Sequence, residues 1–375
     1  PHPWKHPWLT GKNLMRMKNF SREVLTEERE KTKGLPTKNM RFAFCCNMAN
    51  SNYSRAKPLR KRGLKIDLHL HPQDSNFMSH PGWEDYLRTI DGDAEKVFQE
   101  EPLIFPPDVY QEKWSGIFKL SDTPISERHF LRYRDILEFE QWMGAPKTLK
   151  ALNEADAVLV TQHTYFGYLS RARYLVTQTG GDIWFEASRN DELGQLQRLG
   201  FSRARMFLTS NPWSYAHARR FGFNNLVYLP LILDDDEYSP GRGESRKSWQ
   251  ESIGGEFFVL STSRFDHAYK GSQIGLKGFS DFSKKFPECR LVLIRWGENQ
   301  DELDILVREY GLEGKVLFLP LSGKALLRDY LRSADAMLDQ FVLGYFGATG
   351  LEAMASGLPL IGRIERNQYD AVCET

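Results

Sequence analysis

The chain has 375 residues, 41% of them hydrophobic and 26% charged, with a net charge of +1 at pH 7. That length holds two domains of ordinary size, and the composition is that of a globular protein. The near-neutral balance excludes binding to nucleic acid or membrane through bulk charge, so any such attraction must come from a local patch.

The four cysteines, Cys45, Cys46, Cys289 and Cys373, have neither metal-ligand spacing nor the density of a disulfide framework. They read as reduced thiols in a cytoplasmic protein. No apolar run reaches the ~20 residues that span a bilayer, and none has the form of a signal-peptide core. The chain starts at Pro1 and stops at "AVCET" without an obvious closing element, which reads as a fragment.

Residues 1–39 are polar and irregular, an N-terminal appendage with one helix around 21–33. From residue 40, short β-prone runs alternate with stretches of helical period: "MRFAFCC" (40–46), "KIDLHLH" (65–71), "AVLVTQH" (157–163), "YLVTQTG" (174–180), "ARMFLTS" (204–210) and "NLVYLPL" (225–231). The loop "NMANSN" after the first run carries Asn47 and Asn50. Just beyond it, Arg55, Lys57, Arg60, Lys61, Arg62 and Lys65 form a basic cluster. It is either a solvated face or a contact for anionic lipid, or for a phosphorylated lipid acceptor, at the inner leaflet. No recognition helix, RNP-like run or zinc finger accompanies it, so nucleic acid is not predicted as a partner.

The seam at 231–249, "LILDDDEYSPGRGESRKSW", is rich in charge, Gly and Pro. Its aspartates Asp234, Asp235 and Asp236 read as solvated linker rather than as metal ligands, and no metal site is predicted. The second half repeats the alternation: "FFVLSTS" (257–263), "RLVLIRW" (290–296), "KVLFLPL" (315–321), "AMLDQF" (336–341) and "LPLIG" (358–362). Leu303, Leu306, Val307 and Tyr310 share one helix face between them. Strands apolar on both faces, alternating with amphipathic helices, predict parallel sheets covered by helices. The expected domains are 40–235, a linker 236–255, and 256–375.

Ligands of open α/β sheets bind beyond the C-terminal strand ends. Arg264 and Lys270 follow "FFVLSTS", and that pair suits an anionic ligand or an exposed surface equally. After "AMLDQF", Gly344, Gly347 and Gly350 lead into a helix starting near Thr349, whose free N–H groups make an anion site. Glu352 then lies in its first turn, either offsetting the helix dipole or accepting hydrogen bonds from a sugar diol; both can hold. His163 ends a strand and is either a packed residue or a cleft residue. Asp182 either caps the segment after it or faces the cleft.

"STSRFDHAYKG" followed about eighty residues later by "FGATGLEAMASGLPLIG" resembles the donor site of glycosyltransferase family 4. The resemblance spans roughly 40–375 and is weaker in the first half. It implies an α/β GT-B fold of two Rossmann-like domains facing a central cleft. It implies a retaining, metal-independent transfer from a nucleotide-diphosphate sugar, a co-substrate rather than a cofactor, to a hydroxyl of a glycan or lipid-linked acceptor. Arg264 and Lys270 would hold the diphosphate, Glu352 the ribose, His163 and Asp182 would stand in the catalytic cleft, and the loop of Asn47 and Asn50 would face the acceptor. Eight residues before Glu352 the family has a glutamate that contacts the transferred sugar; here stands Gly344, with Asp339 and Gln340 upstream. The sugar contact is therefore expected to be rearranged. Two rivals stand beside this reading: a nucleotide-sugar-binding scaffold without catalysis, and an epimerase or phosphorylase on the same fold.

Overall fold

The computed structural model describes residues 40–69, 77–79, 83–84, 89–90, 117–118 and 145–373. The expected appendage and its helix around 21–33 lie outside the described residues. The first half forms a seven-stranded sheet from β1 (Arg41–Cys45), β2 (Lys65–His69), β4 (Ile117–Phe118), β5 (Ala157–Thr161), β6 (Tyr174–Thr177), β7 (Phe207–Thr209) and β8 (Leu226–Tyr228). Its spatial order is β4-β2-β1-β5-β6-β7-β8, and every pairing is parallel. The second half forms a five-stranded parallel sheet from β9 (Phe257–Ser261), β10 (Cys289–Ile294), β11 (Val316–Leu319), β13 (Ala336–Leu338) and β14 (Leu360–Ile361), in the order β11-β10-β9-β13-β14.

The helices that frame the site are α1 (Ser51–Lys61) after β1, α2 (Pro212–Arg220) after β7, α3 (Ser245–Ile253) and α4 (Ser272–Lys285) before and after β9, α5 (Lys324–Ser333) and α6 (Ala348–Ala355). The predicted runs hold the strands, but several strands stop short of their runs. "YLVTQTG" pairs only through Thr177 and "AMLDQF" only through Leu338. Past Leu338 single backbone bonds still reach the segment at β14, from Asp339 N to the Ile361 carbonyl and from Arg363 N to the Gln340 carbonyl, while the Asp339 and Gln340 side chains meet Ser263 and Lys270.

Part of the expected linker is not a linker. Ser245–Ile253 is helix α3, and its Trp249, 2% exposed, packs on Phe258 and Tyr330 with ring centroids 5.7 Å from each. One buried Trp anchors a helix whose other residues are polar enough to read as a connector. Burying such a ring contributes about 2–3 kcal/mol. The first-half block also reaches across. Trp83 is buried in the same second-half core, and β3 (Thr89–Ile90) pairs antiparallel with β12 (Leu321–Ser322).

Two histidines lie deep in the first sheet. Burial lowers His69, at the end of β2, and His163, after β5, to about 4. Between the unfolded value of about 6.5 and this folded value, only the unfolded chain takes up these protons. Stability therefore falls as pH drops through that window. Asp182, raised by burial to about 6, works the other way but is one group against two. We expect a lower urea midpoint at pH 5 than at pH 7, and a smaller difference in His163→Gln; an unchanged midpoint would contradict the buried neutral imidazoles.

Candidate functional site

Both sheets have a switch point where strand order reverses, between β1 and β5 and between β9 and β13. Loops leaving the strands there diverge and open a crevice. A groove of about 290 Å³ runs between the two sheets and is lined from both. Met48 and Ala49 after β1, and Ser210 and Asn211 after β7, face Lys270 after β9 and Gly347 after β13. A larger concavity of about 550 Å³ lies beside α2, lined by Trp213 and Arg220.

On the second-half wall, Lys270 Nζ donates to Gln340 Oε1 at 2.9 Å. Burial lowers its pKa, with Asp339 opposing. Gln340 also donates to the Tyr345 carbonyl, so it is fixed between the lysine and the loop. Helix α6 begins at Ala348, one residue before the expected start, with Gly347 as an N-cap that supplies no side-chain bond. Its first N–H groups are left for a ligand or water. Asp339 lies beneath this turn, accepting from Ser263 Oγ at 2.6 Å. A Cβ on Gly350 would stand 2.8 Å from Asp339 Oδ2 and 2.9 Å from Leu360 Cδ2, which explains a glycine there. Thr349 is half-buried in the same turn.

Glu352 falls in the second turn of α6, not the first. Dipole compensation therefore weakens as its explanation, because the effect fades beyond the first turn. Both its carboxylate oxygens accept from Lys324 Nζ, at 2.6 and 2.7 Å. Burial pulls Lys324 down, but Glu352 and Glu84 outweigh it and the net shift is upward. Arg328 then ties Glu84, at 3.5 Å, to Glu237, at 3.0 Å. Glu84 is itself raised by burial against the pull of Lys324. A chain of alternating charges thus runs from the groove floor into the seam.

The first-half wall uses its asparagines differently from the expectation. Asn47 Nδ2 donates to Asn50 Oδ1 and to the Ser79 carbonyl, at 2.8 and 2.5 Å, while its Oδ1 accepts from Tyr53 N at 2.8 Å. Both are buried, so they shape the loop rather than present themselves to an acceptor. They permit an unusual backbone: Cys46, Ala49 and Asn50 have φ of 65°, 52° and 57°. Left-handed backbone costs non-glycine residues about 1–3 kcal/mol each, and Asn bears it better than most. The loop thus takes a glycine-like path without glycine.

His163 is buried, its Nδ1 3.0 Å from the Tyr165 hydroxyl, and it is not among the groove-lining residues. Asp182 accepts from the backbone N–H groups of Thr179, Gly180 and Ile183, at 2.9 to 3.2 Å. Its carboxylate closes the turn that precedes it rather than capping the segment after it, whose N-cap is Gly181. Arg264 pairs with Asp266 at 2.8 Å, with Glu298 at 3.8 Å, and does not line the groove, so Lys270 alone of the two expected cations does. The basic cluster is not a free face either. Arg55 is buried, Lys57 pairs with Glu237, Lys61 with Asp234 and Asp236 at 2.6 and 3.2 Å, and Arg60 donates to the Ile66 carbonyl. The same pairing buries Asp234, while Asp235 and Asp236 stay exposed, as expected of a solvated seam.

Gly344 has φ of 71°, and a Cβ there would stand 2.8 Å from Glu365 Cγ. A glutamate at 344 would be strained and crowded. Sequence reading missed Lys324 and Glu84, and placed Arg55 in a basic cluster rather than in the groove. Lys324 opens a helix without any motif around it, and Glu84 stands in a segment with no periodicity.

Residues 244–372 match the family model of glycosyl transferases group 1. Over 152 residues the chain is 31% identical to the mannosylfructose-phosphate synthase of Agrobacterium fabrum, covering 38% of this chain and 34% of that protein. Over 121 residues it is 28% identical to an uncharacterized glycosyltransferase of Methanocaldococcus jannaschii, covering 32% and 30%. The chain thus spans about a third of the length of the curated relatives it matches. Among solved structures it is similar to the sucrose-phosphate synthase of Thermosynechococcus elongatus (TM-score 0.53, 16% identity, 88% of this chain and 83% of that one). It is also similar to Anabaena HepE in complex with UDP and glucose (TM-score 0.57, 15% identity, 86% and 80%). The fold is GT-B, two Rossmann-like parallel α/β domains.

The buried pair gives a direct test. Glu352→Ala leaves Lys324 without its nearest anion and should cost about 3–5 kcal/mol in urea unfolding. Lys324→Met with Glu352→Leu should recover most of that loss. Equal stability of Glu352→Ala and wild type would mean the pair is not formed.

Proposed function

We propose that the chain is a glycosyltransferase that moves a sugar from a nucleotide-diphosphate donor to a hydroxyl acceptor, with retention, in the manner of family 4. One observation carries the reading: Lys270 and the uncapped start of α6 share one wall of a groove between two switch points, inside the stretch that matches the group 1 model. Charge growing on a departing diphosphate would meet Lys270 and the N–H groups at Ala348 to Gly350. Fixed donors of this kind stabilise a leaving group without reorganising. This assigns the neutralisation to the protein rather than to a metal ion.

The Lys324–Glu352 pair lies in the same groove and would receive the ribose hydroxyls, the lysine steadying the carboxylate that accepts them. His163 would act through packing behind the first-half wall. With Gly344 in the place of a glutamate, the transferred sugar would be held by Gln340 and the loop at Tyr345. The acceptor would be a glycan or a lipid-linked sugar, approaching past Ser210 and Asn211. Cys45, Cys46 and Cys289 are buried free thiols, in keeping with a reducing compartment such as the cytoplasm.

Calorimetric titration with UDP, GDP and ADP tests the site. One nucleotide should bind, and Lys270→Ala should weaken it at least tenfold. Arg264→Ala should matter less, since its guanidinium is already tied to Asp266. No binding to any of the three by the folded chain would overturn the reading. Given turnover, an inverted anomeric product would overturn the retaining assignment alone.

A further inference from the structure

Helix α1 carries four cations, Arg55, Lys57, Arg60 and Lys61, whose surroundings differ in kind; Arg60 donates to the Ile66 carbonyl. Lys57 and Lys61 each have a carboxylate partner, Glu237 for the first and Asp234 and Asp236 for the second. Arg55 has none among the described residues. Its side chain is only 8% exposed, yet it lines the groove. Its bonds go to neutral oxygens: Nη1 to the Ser51 carbonyl at 3.1 Å and to Asn52 Oδ1 at 3.4 Å, and Nη2 to Thr177 Oγ1 at 3.3 Å. A guanidinium so deeply buried is costly unless a negative group meets it. Burial alone depresses its pKa to about 10, so the charge persists at neutral pH.

We propose that Arg55 is an oxyanion subsite that receives the phosphate monoester or carboxylate of an anionic acceptor in the groove. The proposal rests on the glycosyl-transfer reading above and names the acceptor class for it. The guanidinium fork matches two oxygens of either group in one plane, which a lysine cannot do. Lys270 and the start of α6 lie on the opposite wall, so the two anions of donor and acceptor have separate cations. Ser51, Thr179, Ser210 and Asn211 line the groove on the Arg55 side and offer polar partners to the hydroxyls of a sugar. Of the basic cluster visible in the sequence, Arg55 lines the groove, Lys57 and Lys61 pair with carboxylates, and Arg62 and Lys65 are exposed.

The test uses the full chain saturated with whichever of UDP, GDP or ADP it binds. Glucose 6-phosphate, glucuronate and glucose are titrated calorimetrically onto wild type, Arg55→Gln and Arg55→Lys. At least one of the two anionic sugars should bind wild type more than tenfold tighter than glucose, and which one does names the oxyanion. Arg55→Gln should erase that preference, and Arg55→Lys should keep part of it. Nucleotide affinity and melting temperature should stay at the wild-type values in Arg55→Lys, which guards against a misfolded Gln variant. No preference for either anionic sugar over glucose in wild type overturns the proposal, as does a preference that survives in Arg55→Gln. Loss of nucleotide affinity in a folded Arg55→Gln would assign Arg55 to the donor diphosphate and equally overturn it. If no nucleotide binds, the glycosyl-transfer reading falls separately, and the same sugars titrated onto the nucleotide-free chain still report on Arg55.

Discussion

All strands within each of the two large sheets run parallel, so in each sheet the loops that follow the strands emerge along one edge. Parallel pairing requires a long crossover between neighbours, and the crossovers cover the sheet faces with helices. The faces are therefore occupied, and the C-terminal edges are where backbone groups and polar side chains stay available. Where the strand order reverses, the crossovers part and leave a crevice. Two such crevices line one groove here. Lys270, Gln340 and the start of α6 owe their proximity to this geometry, since they are separated by about seventy residues of chain yet follow the adjacent strands β9 and β13.

Charge placement follows from that geometry. A groove edge is half desolvated, so each charge there needs a partner. Lys324 and Glu352 satisfy each other, Arg328 links Glu84 to Glu237, and Asp339 takes the Ser263 hydroxyl beneath the helix start. Several of these pairs join residues of the first-half block to the second: Glu84 to Arg328, Lys57 to Glu237. With Trp83 buried in the second-half core and β3 paired to β12, they bind the halves through one seam. The groove is thus built by the same contacts that hold the seam. Arg55 departs from this pattern of paired charges.

The glycines in the motif "GYFGATGLEAMASG" have distinct physical reasons. Gly344 adopts a left-handed backbone beside Glu365, Gly350 avoids Asp339 and Leu360, and Gly347 opens the helix. Spacing alone could not separate these reasons, because each depends on what lies across the fold. The asparagine loop shows the converse. Its sequence lacks the glycines that such loops use, yet Ala49 and Asn50 within it and Cys46 before it take left-handed backbone, and hydrogen bonds among Asn47, Asn50 and Tyr53 tie the loop.

The sequence alone determined the alternation of strands and helices, hence two parallel sheets, because side-chain periodicity is a local property. It also determined that Lys270, Gln340, Gly347 and Glu352 follow strand ends in the second half, since motif order reports chain order. It did not determine partners. Glu352 read as a cap or a diol acceptor and is held by Lys324; Arg264 read as a groove cation and is held by Asp266. Asp182 read as a cap or a cleft residue and bonds within its own turn; Asn47 and Asn50 read as cleft residues and bond to each other, Asn47 also to the Ser79 carbonyl. A basic run read as one patch, and the fold divided it into ion pairs, exposed cations and one buried arginine. Ion pairs join residues up to 244 positions apart, and burial is set by whichever elements pack above a residue. Neither quantity exists until the chain is folded, so only the tertiary structure could decide them.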